Sequence, residues 1–296
     1  MKKVLINNKF ITWLFLLPTI LFLALTAFIP LLYSLWLSFF NLKINMPYLT
    51  PRFVGLTNYV RMFGDEIFVR STINTVIFAV TSVLFEITLG VILAMMISGE
   101  SKRERVIRAV LMVPMIMAPV AAGTMWRMLL DSSTGVVNYL GVLVGLPKIG
   151  WLGNPILAFV SVIIVNVWQV VPWTAIVVIS GLKGIPQDII HSALVDGASP
   201  WRIFWKIVLP QIKPILVVVF LIRFIDAFKV FDTIYVMTGG GPGMATEMLP
   251  NYIFNQGLNY FDASYAAALA ISFIVVMSLI SSLFINAKSR KEAKNI

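Results

Sequence analysis

Cysteine is absent from this 296-residue chain and histidine occurs once. That excludes a disulfide framework, an Fe–S cluster and any metal site built from thiolate and imidazole ligands. Charge is scarce as well: Asp, Glu, Lys and Arg make up 12% of the residues, against 59% hydrophobic. No GxxxxGK[ST] occurs, so the chain offers no P-loop for ATP. The one glycine cluster, Gly239-Gly240-Gly241-Pro242-Gly243, lacks the lysine and a preceding strand and reads as a turn. Catalysis finds no support either, since the single histidine, His191, sits in a polar loop and reads as a contact residue. Internal repeats and low-complexity segments are missing too.

What is present is a series of apolar runs near the ~20 residues that a bilayer requires. They lie at roughly 11–38, 71–98, 107–130, 156–181, 212–237 and 265–287, and predict an all-α membrane protein of six transmembrane helices. The first run is too long for a signal-peptide core, so no cleaved signal peptide is expected. Orientation follows from the cations. With the N-terminus inside, the inner segments hold fifteen: Lys2, Lys3, Lys9, Lys102, Arg103, Arg105, Arg108, Lys183, Arg202, Lys206, Lys213, Lys288, Arg290, Lys291 and Lys294. The outer loops hold six: Lys43, Arg52, Arg61, Arg70, Arg127 and Lys148. Both termini and the 182–210 loop are therefore expected in the cytoplasm of a multi-pass cell-membrane protein. The net charge of +10 reflects topology, and no basic stripe interleaved with aromatics points to nucleic acid. The outer stretch from about 41 to 70 is too short for its own core, so residues 1–296 read as one transmembrane domain.

The loop HSALVDGASPWRIFWKIVLPQIKP, 191–214, carries its own punctuation. Pro186 suits the first turn of a short helix reaching Val195, and Asp196-Gly197 ends it with a left-handed glycine. Ser199-Pro200 reads as the N-cap and first residue of a second short helix that stops by Pro210. Trp201, Phe204, Trp205 and Val208 fall on one face of it. The bland alternative is an amphipathic helix in the headgroup layer, anchored by Trp201 and Trp205.

This spacing resembles the EAA loop of ABC-importer permeases: Glu-Ala-Ala, three residues, Gly, nine residues, then Ile-x-Leu-Pro. Ala193, Gly197, Ile207, Leu209 and Pro210 stand in register; His191 replaces the family Glu and Ser192 the first Ala. The stretch Asp226–Glu247 also resembles the span and loop of carbohydrate-uptake permeases. The resemblance implies an ATPase-docking role for His191, Ser192, Ala193, Asp196, Gly197, Ile207, Leu209 and Pro210. It also implies a second permease subunit, expected to be non-identical, a dimer of ATPase subunits that alone bind ATP and Mg2+, and an extracytoplasmic solute-binding protein. The implied activity is import of a sugar, polyol or sugar phosphate by ATP-driven alternating access, with no enzyme activity or cofactor in this chain.

Ionisable groups inside a membrane cost roughly 2.5–3.5 kcal/mol each and need a reason. Arg223, Asp226, Lys229 and Asp232 recur at i+3 steps along the fifth expected span, with Arg223 roughly 13 Å past Pro214. Glu86 lies mid-span in the second and needs a basic partner, expected on the fifth. Asn166, Trp168, Gln169 and Trp173 gather around a kink expected at Pro172. Two readings stand for Glu86, Asn166, Gln169, Trp173, Arg223, Asp226 and Lys229: contact with a translocated solute, or helix–helix bonding. Rival functions are an ion-gradient-driven carrier, an ABC permease for a non-sugar solute, and a membrane scaffold.

Overall fold

Inside a bilayer every backbone N–H and C=O must be paired within its own segment, so long apolar runs cross as helices. The computed structural model describes residues 8–46 and 50–293, with side chains for 12–46 and 50–283. Lys2, Lys3 and Lys294 lie outside the described residues, as do the side chains of Lys9, Lys288, Arg290 and Lys291. In chain order the main helices are α1 (Thr12–Leu37), α2 (Glu66–Ile97), α3 (Lys102–Ile116), α4 (Pro119–Leu129), α5 (Pro155–Lys183), α6 (Gln187–Val195), α7 (Pro200–Phe228), α8 (Asp232–Met237) and α9 (Ala263–Ala293). Among the described residues five of these, α1, α2, α5, α7 and α9, are long and apolar enough to cross a membrane. A sixth crossing counts only if α3 and α4, bent by 95°, act as one span. Among the described residues one two-stranded sheet occurs: β1 (Phe40–Asn41) pairs antiparallel with β2 (Arg52–Phe53), Phe40 facing Phe53.

Three expectations need correcting. The run 107–130 is not a straight helix. Met117 and Ala118 adopt extended backbone (ψ 137° and 135°) ahead of Pro119, whose ring disfavours a helical residue before it. The helix opened by Ser199-Pro200 does not stop at Pro210. A π turn at Phe204–Val208, closed by Leu209 N–H to the Phe204 carbonyl, widens the backbone just before the proline, and α7 runs on to Phe228. The fifth expected span, 212–237, ends early. Lys229 sits at the C-terminus of α7 and Asp232 opens α8, which places a cation at a negative helix end and an anion at a positive one. The i+3 series thus spans two helices. By contrast α5 runs unbroken through Pro172.

The described residues group into two units, one drawn from 1–65 and 253–278, the other from 66–252 and 279–296. In the first, Arg61 pairs with Asp262 at 2.7 Å and lies 3.8 Å over the Tyr265 ring. Asn58 Nδ2 donates to the carbonyls of Ser38 and Phe40, each at 2.8 Å, tying the junction of α1 and β1 to the short helix Thr57–Phe63. The apolar window of α1 has none of its residues buried inside the chain. In the second unit α2 packs on α5, and lipid gives no hydrophobic drive for that contact, so close fit must supply it. Gly90 makes the fit possible: a Cβ there would stand 2.4 Å from Thr174 Cγ2. Val91, Ala94, Val178, Ile203, Val208 and Ile212 form the core near α6. Phe78, Val162, Val165, Ile234 and Met237 form another near α8.

Candidate functional site: a charged cavity and an exposed loop

Glu86 projects from α2 with no exposed surface. A carboxylate so placed requires donors, and neighbouring helices provide them. Asn166 Nδ2 on α5 donates to Oε1 at 2.7 Å, and Arg223 on α7 donates from Nε to Oε2 at 2.8 Å and from Nη2 to Oε1 at 3.4 Å. The same guanidinium donates from Nη1 to Asp226 Oδ2 at 3.3 Å, and Lys229 Nζ lies 3.2 Å from Asp226 Oδ1. Each charge therefore neutralises the next, from the buried carboxylate to the end of α7. Asp232 is outside this chain of pairs.

The network opens onto a cavity of about 440 Å³. Asn166, Gln169, Trp173, Arg223, Asp226 and Lys229 line it, while Glu86 stands behind the wall and holds two of the lining side chains. Polar donors and acceptors around a tryptophan face suit a polyhydroxylated solute. Apart from Asp232, a member of the i+3 series, the rest of the wall was not anticipated from sequence. Met115, Met117 and Pro119 come from the break between α3 and α4, and Val230, Phe231, Asp232 and Thr233 from the break between α7 and α8. Gln169 Nε2 donates to the Met117 carbonyl at 2.9 Å, satisfying a backbone acceptor that the broken helix leaves open. The closely spaced Pro114 and Pro119 were the available sign of the first break. Trp168 turns away, edge-on to Trp126 at 5.4 Å.

Beyond the C-terminus of α5 the loop has a different character. Ala198 N–H bonds to the Ala193 carbonyl at 2.9 Å and Gly197 N–H to the Leu194 carbonyl at 3.0 Å, with Gly197 at φ +70°, a Schellman ending for α6. Ser199 Oγ accepts from Arg202 N–H at 3.3 Å and caps α7. Ala193, Ile207 and Leu209 are half-buried and pack on the apolar core below. Pro210, His191, Ser192 and Asp196 are exposed. His191, Ser192 and Asp196, with Asp188 and Val195, border an open hollow of about 450 Å³. Trp201 and Trp205 point outward in an edge-on pair 5.6 Å apart, so the buried face of this helix is Ile203 and Val208. Just before the loop, Lys183 pairs with Glu100 at 2.9 Å and holds that exposed carboxyl below its usual range. Among the described residues no group of three His, Asp or Glu is placed to hold a metal ion.

Comparison with known proteins places this geometry. The trehalose/maltose transport system permease protein MalF of Thermococcus litoralis is 35% identical over 267 residues, covering 90% of both chains. The sulfoquinovosyl glycerol transport system permease protein SmoG of Agrobacterium fabrum is 30% identical over 287 residues, 97% of this chain and 93% of its own. Among solved structures, a chain of a bacterial ABC transporter that imports the acidic polysaccharide alginate superposes with a TM-score of 0.83 at 26% identity, covering 97% of each chain. The family described as binding-protein-dependent transport system inner membrane component matches residues 86–292, from the buried carboxylate through α9. This chain belongs to that family and is a multi-pass membrane permease of an ABC importer.

Proposed function

We propose that this permease moves a sugar or a related polyhydroxylated solute, a polyol or sugar phosphate, into the cytoplasm by ATP-driven alternating access. The observation that carries the reading is the cavity where Asn166, Gln169, Trp173, Arg223, Asp226 and Lys229 meet over the buried Glu86. Relatives that carry trehalose and maltose, sulfoquinovosyl glycerol and alginate support the substrate class. In this reading α3 and α4 together make one of six spans and both termini are cytoplasmic. The cavity wall is half of a path that a second, non-identical permease subunit completes. The 182–210 loop docks on an ATPase dimer that binds the ATP and Mg2+, and hydrolysis takes place there. In that docking His191, Ser192, Asp196 and Pro210 face the partner, Gly197 sets the turn, and Ala193, Ile207 and Leu209 seat the loop on its own core. An extracytoplasmic protein delivers the solute. Nucleotide-driven closure of the ATPases shifts the loops, and the path's differing affinity in its two states couples this to transport.

Family membership favours this importer over an ion-gradient-driven carrier. Purifying the C-terminally tagged chain from native membranes in mild detergent tests the coupling. A Walker-motif ATPase should co-purify, and should be lost when Gly197, at φ +70°, is changed to a bulky residue. Isolation of the chain free of any ATPase, under conditions that keep a known importer whole, would remove the reading.

A further inference from the structure

The ion pairs of the cavity leave one carboxylate over. Arg223 is committed to Glu86 and Asp226, and Lys229 to Asp226. Asp232 lines the same cavity, is exposed to it, and among the described residues forms no ion pair and no side-chain hydrogen bond. The structural alternative is that Asp232 serves only its own helix as a first-turn acid. Asp232 does hold that position, but no backbone N–H is bonded to its side chain, so the carboxylate is left available to the cavity. Three carboxylates against two cations, with the surplus on the wall, give this surface a negative bias.

We propose that Asp232 is a specificity-determining residue, biasing the wall this chain supplies towards neutral or cationic polyhydroxylated solutes and against carboxylated, sulfonated or phosphorylated ones, which narrows the solute class proposed above by disfavouring sugar phosphates. The attraction the cavity offers a solute comes from Asn166, Gln169 and Trp173, which ask nothing of its charge. An anionic group entering beside Asp232 finds the nearby cations already paired and meets like charge. The relative that imports an acidic polysaccharide shares the fold at 26% identity, so the fold itself does not set this preference.

The inference rests on the cavity being the solute path, and its test reads the potential there without transport. The chain has no cysteine, so Val230→Cys places a single thiol in this protein on the same wall. In membranes carrying the full chain with its companion subunits, that thiol is reacted with cationic trimethylammonioethyl, anionic sulfonatoethyl and neutral methyl methanethiosulfonate. The ratio of cationic to anionic rates, each normalised to the neutral reagent, reports the field. Adding Asp232→Asn should lower that ratio roughly three- to ten-fold, the effect of one charge within a few ångströms in a partly wet site. Asp196→Asn, in the loop outside the cavity, should leave it unchanged. An Asp232→Asn ratio equal to the parent's overturns the assignment while leaving the importer reading intact, because the ratio compares reagents at one thiol under one nucleotide condition and needs no import. Equal neutral-reagent rates in the two variants show that the wall is still folded.

Discussion

The cavity near the C-terminal end of α7 and the loop at its N-terminal end treat polar side chains in opposite ways. At the cavity, Glu86, Asn166, Arg223 and Asp226 bond to one another across three helices, and the carboxylate at the centre is fully buried. At the loop, Asp188, His191, Ser192 and Asp196 stand exposed and, among the described residues, form no side-chain hydrogen bond with this chain. The first arrangement is complete within the subunit. The second leaves its donors and acceptors for something else, in keeping with the proposed docking. Changes at the cavity should therefore strike the fold first, and changes at the loop should strike association first.

The largest effect is expected from splitting the central pair. Arg223→Gln leaves Glu86 buried with Asn166 alone, and should cost about 3–5 kcal/mol of stability. His191→Ala should leave the thermal melt of the detergent-solubilised chain where it was; a comparable fall in both would erase the contrast. Next, Gly90→Ala puts a methyl 2.4 Å from Thr174 Cγ2 and forces α2 from α5, for about 1–3 kcal/mol in the same melt. Asn166→Ala removes one of the donors to Glu86 and should cost about 1–3 kcal/mol, with uptake reduced further than stability explains. Gly197→Ala meets no atom within 4 Å, so its cost is the left-handed backbone alone, about 1 kcal/mol. It should show as weaker ATPase recovery with little change in melting. The smallest effect belongs to Lys183 and Glu100, both exposed and screened by salt. Because Lys183 lowers the folded Glu100 pKa, the pair helps above the ordinary carboxylate range and fades as pH falls through the lowered value. Lys183→Met should abolish that slope without a resolvable shift at neutral pH.

The loop was the more legible end. Asp196-Gly197 and Ser199-Pro200 are local signals, and the turn and cap they specify are present. Glu86 was legible as a demand, since a mid-span carboxylate requires a cation, and Arg223 meets it. The breaks that build the rest of the cavity were not. Hydropathy runs straight through Met117 because the residues on both sides are apolar, and at Val230–Phe231 the flanking Lys229 and Asp232 read as members of a charged i+3 series along one helix. The bend at Pro119 and the end of α7 at Lys229 are backbone events that a hydropathy window averages away. The π turn before Pro210 was hidden for the same reason: proline marks a lost donor, and not whether the helix widens to pass it.

The contrast between the two ends is tested most directly by photocross-linking in native membranes. A benzoylphenylalanine at Ser192 in the loop and another at Val230 in the cavity would be irradiated in parallel, and the adducts identified by mass spectrometry. The account predicts an adduct to a Walker-motif ATPase from position 192 and none to that protein from position 230. An ATPase adduct from the cavity, or none from the loop in a preparation that still imports solute, would contradict it.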